Sequence, residues 1–239
     1  MQTKTIIITG ASSGLGQVLA YKLAQDNNLI LAARNQEILE KMKKDLNSHD
    51  NILVVKTDIA QNKDVANLIK QSVARFKKVD LVFHCAGINH KKPFYELKES
   101  EWREIFATNT NSVFYLTQNL HKYCKKLEFV YVSSISAQIP TKLYSAYSAA
   151  KIASDNYLKA INKEWKALKI TIFHPYRLKT NFGSHYEEKY KSPSKHKVDP
   201  DLYAEMMIAK IDGDRFKTLF YTLKTWLVRF GQIAGVKTN

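Results

Sequence analysis

Tyr147 and Lys151 are the residues of this sequence whose types and spacing most directly suggest chemistry. They stand four residues apart, and side chains at that spacing lie on one face of a helix. A phenol with an ordinary pKa of about 10 is a poor acid–base catalyst near neutral pH. A neighbouring ammonium group stabilises the phenolate and lowers that pKa, so the pair is suited to proton transfer. Tyr144 is seven residues from Lys151, too far for direct pairing along one helix, and we expect it to line a pocket or to pack.

A glycine-rich segment near the start of the chain has the composition of a phosphate-binding turn. It directly follows the apolar run Thr5–Thr9 and opens an amphipathic stretch. Glycines between a strand and a helix let the backbone approach a pyrophosphate, which the positive end of the helix dipole attracts. A tight turn alone also favours glycine, but this position favours a bound dinucleotide. The expected contacts are Gly10, Ser12, Ser13, Gly14, Leu15 and Gly16.

Apolar runs alternate with amphipathic stretches along most of the chain. The runs predict strands buried on both faces, at Thr5–Thr9, Leu29–Ala33, Ile52–Lys56, Asp80–Ala86, Phe129–Ser133 and Ile170–Phe173. The stretches predict helices, for example Leu15–Gln25, Glu37–Leu46, Asp64–Phe76, Ser154–Leu168 and Pro200–Ile211. This alternation predicts the α/β class: a doubly wound, Rossmann-type, mostly parallel sheet in a single three-layer α/β/α domain.

Together these motifs resemble those of the short-chain dehydrogenase/reductase family, in its short single-domain branch. The resemblance extends over roughly residues 3 to 211. It implies an oxidoreductase that interconverts a ketone and an alcohol at the carboxyl edge of a nucleotide-binding sheet. The substrate would be a small carbonyl or alcohol compound, and the protein would form a homodimer or homotetramer.

The resemblance also implies roles for residues of the reaction site. Ser134 would hold the substrate oxygen, and Tyr147 would donate or accept the proton. Lys151 would tune Tyr147 and bind the nicotinamide ribose. Ser133 and Ser136 are competitors for the place of Ser134.

Asn109 matches a fourth catalytic position of the family, where an amide helps to hold a water chain that leads to the lysine. Asn111 is the alternative by register. We expect Asn109 to lie inside a helix, where asparagine is mildly unfavourable and therefore suggests a compensating role.

The family pattern implies further cofactor contacts after the third and fourth strands. Asp58 would bind the adenine amino group or cap the next helix, with Ile59 beside it. Ala86 and Gly87 would leave room for the cofactor. Cys85 stands where the family usually has asparagine, so only its backbone matches the pattern.

After the sixth strand, the family pattern implies that Leu178 offers backbone atoms and that Thr180 bonds the nicotinamide amide or the pyrophosphate. Tyr176 replaces the usual glycine, and we expect its bulk to reshape the pocket. His174 has no ligand partners at metal spacing, so we interpret it as a packing residue.

The end of the second predicted strand bears on the choice of nucleotide. A carboxylate there would accept hydrogen bonds from the ribose 2′-hydroxyl and repel a 2′-phosphate. The sequence has Ala32-Ala33-Arg34-Asn35 instead. Arg34 is either a solvated surface residue or a phosphate ligand, and its planar charged group suits a phosphate. The missing acid favours the second role, so the sequence predicts NADP(H).

Composition limits the partners. The 239 residues carry a net charge of +15, but the basic residues are scattered along the chain. Such a surface suits anionic small molecules, and we predict no nucleic-acid binding. Cys85 and Cys124 have neither a paired nor a metal-ligand spacing, so we predict a reducing compartment and no metal site. No secretory signal or long apolar stretch is found, and we expect a cytoplasmic location.

Two segments stand apart from the rest. We assign residues 1–215 to the NADP-binding domain, with a polar substrate loop at 182–199, and residues 216–239 to a C-terminal strand or amphipathic helix. In this extension large apolar residues recur at helical spacing among basic residues, at Leu219, Leu223, Trp226, Phe230 and Ile233. The pattern predicts a helix that packs on the core or on a partner subunit, and the alternative is peripheral contact with an anionic membrane.

A second function class is a catalytically silent NADP-binding sensor or scaffold. Cys85 and Tyr176 depart from the family pattern and keep this hypothesis open. The intact set of Ser134, Tyr147 and Lys151 argues against it, because a sensor does not need groups that transfer protons.

Overall fold

The computed structural model describes residues 3–46, 50–183, 188–190 and 197–230. Most of the expected substrate loop lies outside these residues, including Tyr186, Lys191, Pro193 and His196. The end of the C-terminal extension, with Ile233, also lies outside them, and the side chain of Phe230 is not described.

Six strands form one parallel sheet in the order β3-β2-β1-β4-β5-β6. The strands are β1 Thr5–Thr9, β2 Asn28–Ala33, β3 Ile52–Lys56, β4 Leu81–His84, β5 Leu127–Val132 and β6 Leu168–Phe173. The strand order reverses between β1 and β4. In sheets of this kind the crevice for a ligand opens at that reversal, beyond the carboxyl ends of the strands.

Eight α-helices are found among the described residues. They are α1 Gly14–Leu23, α2 Gln36–Asp45, α3 Asn62–Phe76, α4 Glu99–Phe106, α5 Ser112–His121, α6 Ser145–Glu164, α7 Pro200–Ile211 and α8 Arg215–Phe230. Helices α1, α2 and α7 pack on one face of the sheet, and α3, α5 and α6 pack on the other. The predicted three-layer, doubly wound fold is confirmed.

Alternate residues of the central strand separate the two cores. Ile6 and Ile8 of β1 face α1 and α7, whereas Ile7 faces α3 and α5. All three side chains are buried. A strand covered on both faces has no polar positions, which explains its continuous apolar sequence.

The prediction of a helix at Ser154–Leu168 is wrong at both ends. Helix α6 begins at Ser145, and Leu168 is already the first residue of β6. The first turns of α6 bury small side chains, among them Ala146, Ser148 and Ala150. Small residues give no apolar periodicity, so the pattern concealed a closely packed helix start.

The predicted strand Asp80–Ala86 is also too long, because β4 ends at His84. Beyond it the chain lies against the glycine-rich turn. A Cβ atom built on Gly10 would stand 2.9 Å from the backbone nitrogen of Ala86. This contact places Cys85 and Ala86 in the turn rather than in the sheet ladder.

Gly16 is the glycine at which a side chain is least tolerable. A Cβ atom there would lie 2.5 Å from the carbonyl oxygen of Gly10, which is backbone and cannot rotate away. We predict that Gly16→Ala lowers the free energy of unfolding by about 1–3 kcal/mol, as overpacked substitutions do. Urea denaturation followed by circular dichroism measures the change.

Gly213→Ala is the matched control, because Gly213 has a φ of +76° but nothing within 4 Å of its Cβ position. Gly213→Ala should lower the free energy of unfolding only by the strain of a left-handed backbone, about 1–2 kcal/mol. The close approach of the turn and the helix is refuted if Gly16→Ala unfolds at the same urea concentration as the unsubstituted protein.

Candidate active site

The carboxyl edge of the sheet brings together residues that are far apart in the sequence. Ser134 follows β5, Thr180 follows β6 and Gly10 follows β1. Tyr147 and Lys151 reach the same edge from the first two turns of α6, where both are buried. Parallel strands end on one side, so their following loops form a single site.

Ser134 and Tyr147 form the centre of this site. The side chain of Ser134 accepts a hydrogen bond from the backbone N–H of Ser136 at 3.1 Å, which fixes its position. Burial raises the pKa of Tyr147 above its ordinary value, and a hydrogen bond with Ser134 acts in the lowering direction. The competitors Ser133 and Ser136 are buried, whereas Ser134 is only half-buried. The structure therefore favours Ser134 over both.

Lys151 is almost completely buried, with 2% of its surface exposed. Its Nζ donates a hydrogen bond to the carbonyl oxygen of Val132 at 2.8 Å. It lies 4.6 Å from the centre of the Tyr131 ring and 5.7 Å from that of Tyr147. Burial lowers the pKa of Lys151 to about 7, and the charge of Asp155 acts in the opposite direction.

These values correct the electrostatic argument made from the sequence. Lys151 was expected to lower the pKa of Tyr147, but the pKa of Tyr147 is raised. Burial penalises the phenolate, and it also penalises the ammonium form of Lys151 that would stabilise the phenolate. In the folded protein, burial therefore opposes the charged form of both Tyr147 and Lys151.

Asp155 is a residue of the site that the sequence analysis missed. It stands four residues after Lys151 and is also buried. Its Oδ2 pairs with Nε2 of His174 at 2.6 Å, and its Oδ1 has no hydrogen-bond partner in the described part of the chain. His174 therefore contacts a buried side chain of α6, a partner that its interpretation as a packing residue did not specify. The four-residue spacing between Lys151 and Asp155 could have indicated their proximity, because residues four apart share a helix face.

Asn109 lies in a π-helical turn, Ala107–Asn111, between α4 and α5 rather than inside a regular α-helix. Its Nδ2 donates to the carbonyl oxygens of Ile88 at 2.9 Å and Ile105 at 2.8 Å. Asn109 is fully buried while Asn111 is exposed, so the register favours Asn109.

Gly87 leaves a small space between Asn109 and Lys151. A Cβ atom built there would lie 2.9 Å from Oδ1 of Asn109 and 3.6 Å from Nζ of Lys151. No protein group in the described residues hydrogen-bonds to that Oδ1. The geometry thus points an amide oxygen and a lysine nitrogen into one space.

The glycine-rich turn fits a pyrophosphate. Helix α1 begins after Ser13, whose side chain makes no capping hydrogen bond, and its first turn contains no acidic residue. Gly10 and Gly14 have positive φ angles, and a Cβ at Gly14 would lie 3.3 Å from Cγ2 of Thr180. The amino end of α1 therefore lies beside Thr180, and the positive end of its dipole suits a phosphate there.

Arg34 follows β2 and is exposed. Lys56 is the last residue of β3 and pairs in register with Ala33, so two cations stand at neighbouring strand ends. They line one surface concavity, whose members are Arg34, Asn35, Gln36, Glu37, Glu40 and Lys56. The sequence analysis missed Lys56, although aligning the predicted strand ends would have found it.

Asp58 closes the turn before α3 rather than capping the helix. Its Oδ1 accepts the backbone N–H of Ala60 at 3.0 Å, and the helix cap position is Gln61. Ile59 is buried in the core beneath α3. The expected adenine contact of Asp58 stays a prediction.

The remaining predicted contact residues lie at two loops. Burial raises the pKa of the Cys85 thiol to about 12, so this residue stays a neutral thiol. The backbone N–H of Ala86 donates to Oγ1 of Thr9 at 3.3 Å. The carbonyl oxygen of Leu178 accepts the N–H of Thr180 at 3.0 Å. Tyr176 is about half exposed.

His84 was not recognised as structurally important from the sequence. It is fully buried at the end of β4, with Nδ1 2.7 Å from Oγ1 of Thr9 and Nε2 3.0 Å from Oγ of Ser112. Burial lowers the pKa of His84 to about 3, and the positive charge of Lys151 acts in the same direction. A neutral imidazole thus ties β1, β4 and α5 together behind the site.

Within the described residues, no group of three His, Cys, Asp or Glu side chains could hold a metal ion. No described helix has the length and apolar character needed to cross a membrane.

Comparison with known proteins gives matches over most of the chain. The model of the short chain dehydrogenase family matches residues 4–191. An uncharacterized oxidoreductase of Listeria innocua is 39% identical over 115 residues, which span 47% of this chain and only 46% of the relative's length.

Two solved structures show the same fold. An alcohol dehydrogenase of the archaeon Thermococcus sibiricus, complexed with 5-hydroxy-NADP, is 24% identical with a TM-score of 0.79, and 88% of this chain and 91% of that chain are covered. A short chain dehydrogenase/reductase of Burkholderia phymatum, in complex with NAD, is 18% identical with a TM-score of 0.80, and 99% and 96% are covered. At these identities the likeness concerns the fold alone.

The effect of the Asp155 charge on the pKa of Lys151 generates a prediction. Asp155→Asn should lower the pKa of Lys151 further below about 7, because the negative charge that favours the ammonium form is removed. NMR titration of the protein labelled at the lysine side chains measures this pKa. Glu164→Gln, at the exposed end of the same helix, is the control and should leave the midpoint unchanged. Equal midpoints in both variants would show that Asp155 has no effect on Lys151.

Proposed function

This chain belongs to the short-chain dehydrogenase/reductase family, and on that premise we propose that it is an NADP-dependent oxidoreductase that interconverts a carbonyl and an alcohol. The observation that carries the proposal is the buried pair of Tyr147 and Lys151, whose Nζ lies 5.7 Å from the Tyr147 ring centre, at the sheet edge where Ser134 follows β5. This group lies at the sheet edge onto which the phosphate-binding turn opens. The substrate is a small molecule, and the geometry admits either direction of reaction.

In the direction of reduction, each residue has a separate task. Bound NADPH supplies the hydride that reaches the carbonyl carbon. Ser134 holds the carbonyl oxygen, and Tyr147 donates its phenolic proton to that oxygen as the alcohol forms. The raised pKa of Tyr147 keeps this proton in place at neutral pH until a substrate arrives. In the direction of oxidation the same proton returns from the alcohol.

Lys151 and Asn109 support Tyr147 from behind. Lys151 stabilises the phenolate left after proton transfer and binds the nicotinamide ribose. The oxygen of Asn109 and the amine of Lys151 both border the space at Gly87, which suits a water that returns a proton toward the site. Burial lowers the pKa of Lys151, and the charge of Asp155 acts in the opposite direction.

The preference for NADP over NAD rests on charge at two strand ends. Arg34 and Lys56 present cations, and β2 is followed by no carboxylate at Arg34 or Asn35. The side chain of Asn35 is already used, because it accepts the N–H of Ile38 at 3.1 Å. A 2′-phosphate placed between the two cations would form charge-assisted hydrogen bonds.

A homodimer or homotetramer is part of the proposal. The outer faces of α5 and α6 expose apolar side chains, among them Phe114 and Ile152. Burying such a surface against a second copy would remove it from water. A cytoplasmic site of action agrees with two free cysteines that form no disulfide.

We predict that Arg34→Ala weakens NADPH binding about tenfold, because a charge-assisted bidentate contact is lost. NADH binding should hardly change. Titration of both nucleotides by fluorescence measures the two affinities. Lys70→Ala, an exposed charge change on α3, is the control for net charge. An equal loss for NADPH and NADH would contradict the assignment of Arg34 to the 2′-phosphate.

We further predict that Tyr147→Phe reduces turnover of NADPH with a panel of aldehydes and ketones about 100-fold or more, since the proton donor is removed. NADPH binding should persist. Tyr144→Phe removes the hydroxyl of the neighbouring tyrosine, whose ring lies 6.2 Å away, and should leave turnover near its original rate. Unchanged turnover in Tyr147→Phe would overturn the proposal. NADPH binding without any turnover in the original protein would support the silent sensor instead.

A further inference from the structure

Helix α8 packs on the domain with its less apolar face. Half-buried side chains recur every three to four residues, at Thr218, Tyr221 and Thr225. The helix lies against α7, and Tyr221 reaches the core of that layer. Among the described side chains of α8, those of the face that contacts the protein are therefore two threonines and one tyrosine.

The opposite face carries large apolar side chains that are 51–89% exposed, and we call it the apolar stripe: Phe216, Leu219, Phe220, Leu223, Trp226 and Leu227. An amphipathic helix of a soluble domain normally turns its apolar residues toward the core. Here they point away from it. A contiguous exposed apolar surface of this kind marks a contact site for a protein or a membrane.

Basic residues border the apolar stripe. Lys217 and Lys224 lie on one flank, and Nζ of Lys224 is 4.4 Å from the centre of the Phe220 ring, so its stem runs along the stripe. Arg215 lies on the other flank. From residue 215 to 239 the sequence contains five Lys or Arg and no Asp or Glu.

This charge distribution indicates which kind of partner the apolar stripe binds. Two copies of the chain meeting through α8 would bring their cations together without any acidic partner from the same segment, and like charges oppose association. An anionic bilayer surface offers negative headgroups beside an apolar interior. Aromatic and leucine side chains on one face with flanking Lys and Arg are the features of helices that lie in this interface.

The direction of α8 follows from its connection to α7. Helix α7 begins just after Val198, which pairs with Leu178 near the carboxyl edge of the sheet. It ends at Ile211, and the carboxylate of the next residue, Asp212, lies 3.4 Å from Nζ of Lys4 at the other edge. Only Asp212 to Asp214 separate the two helices, so α8 turns back and its 16 residues span about 24 Å. The apolar stripe therefore runs along the side of the domain toward the edge that holds the active site.

We propose that the apolar stripe of α8 docks this protein on the surface of an anionic lipid bilayer, with the helix lying in the plane of the interface. Trp226 and its apolar neighbours enter the headgroup region, and Lys217 and Lys224 contact the negative headgroups. This inference does not depend on the proposed oxidoreductase activity.

Vesicle sedimentation with matched charge variants tests the proposal. The full chain is mixed with vesicles of phosphatidylcholine, with or without phosphatidylserine. We expect it to sediment with the phosphatidylserine vesicles and to be released by salt. Leu223→Glu should reduce the bound fraction about tenfold or more, because a leucine leaves the interface. Thr222→Glu adds the same charge one residue away, off the stripe, and should bind at least several times better than Leu223→Glu.

Three results would overturn the proposal. One is the absence of sedimentation with either vesicle. Another is an equal decrease of the vesicle-bound fraction in Leu223→Glu and Thr222→Glu, which would show that charge alone determines binding. The third is a dimer that Leu223→Glu dissociates, in a protein that does not bind vesicles. Thermal unfolding of each variant, followed by circular dichroism, shows whether the fold is retained.

Discussion

The amine of Lys151 is buried among aromatic rings at the edge of the sheet, and much of the surrounding structure is arranged to make that burial tolerable. One hydrogen bond goes to the carbonyl oxygen of Val132 at the end of β5. The rings of Tyr131 and Tyr147 lie on its sides. Asp155, one helical turn away, supplies negative charge and is itself paired with His174. Burying an ionisable group costs stability unless such partners are present. The first turns of α6 are thus positioned as much by electrostatics as by apolar packing.

The site also requires a small residue at Gly87, because a side chain there would fill the space between Asn109 and Lys151. Gly87 leaves a space that Asn109 and Lys151 share, and a methyl group there would collide with Asn109. The π-helical turn at Ala107–Asn111 has the same effect from the other side, since it moves Asn109 out of regular helical register. From this turn the amide of Asn109 donates to the carbonyl oxygen of Ile88 and to that of Ile105, four residues before it. Folding and chemistry therefore depend on the same few atoms.

The sequence predicted the class of fold, because that depends on local patterns, whereas the roles of the site residues stay predictions. Strand β1 and helix α7 were predicted with their observed ends, since apolar continuity in one and a proline start in the other are local signals. The start of α6 was missed because small buried residues carry no periodicity. Asp155 and Lys56 were missed, and the contact of His174 with Asp155 was not foreseen, for another reason: each depends on a neighbour that only the folded chain brings close. The direction of the Tyr147 pKa shift was wrong because burial is a property of three dimensions.

Helix α8 also shows what a sequence pattern leaves undetermined. Its periodicity predicted an amphipathic helix, but the period of a pattern does not say which face meets the protein. Packing through the apolar residues would have required α7 to offer a matching apolar groove. The outer surface of α7 instead receives Tyr221 and two threonines, and the large side chains remain in solvent. An apolar surface held away from the core contributes little to the stability of the isolated domain, and the positive charge around it favours an anionic surface as its partner. The arrangement of α8 is thus explained by what lies outside the domain rather than by the core within it.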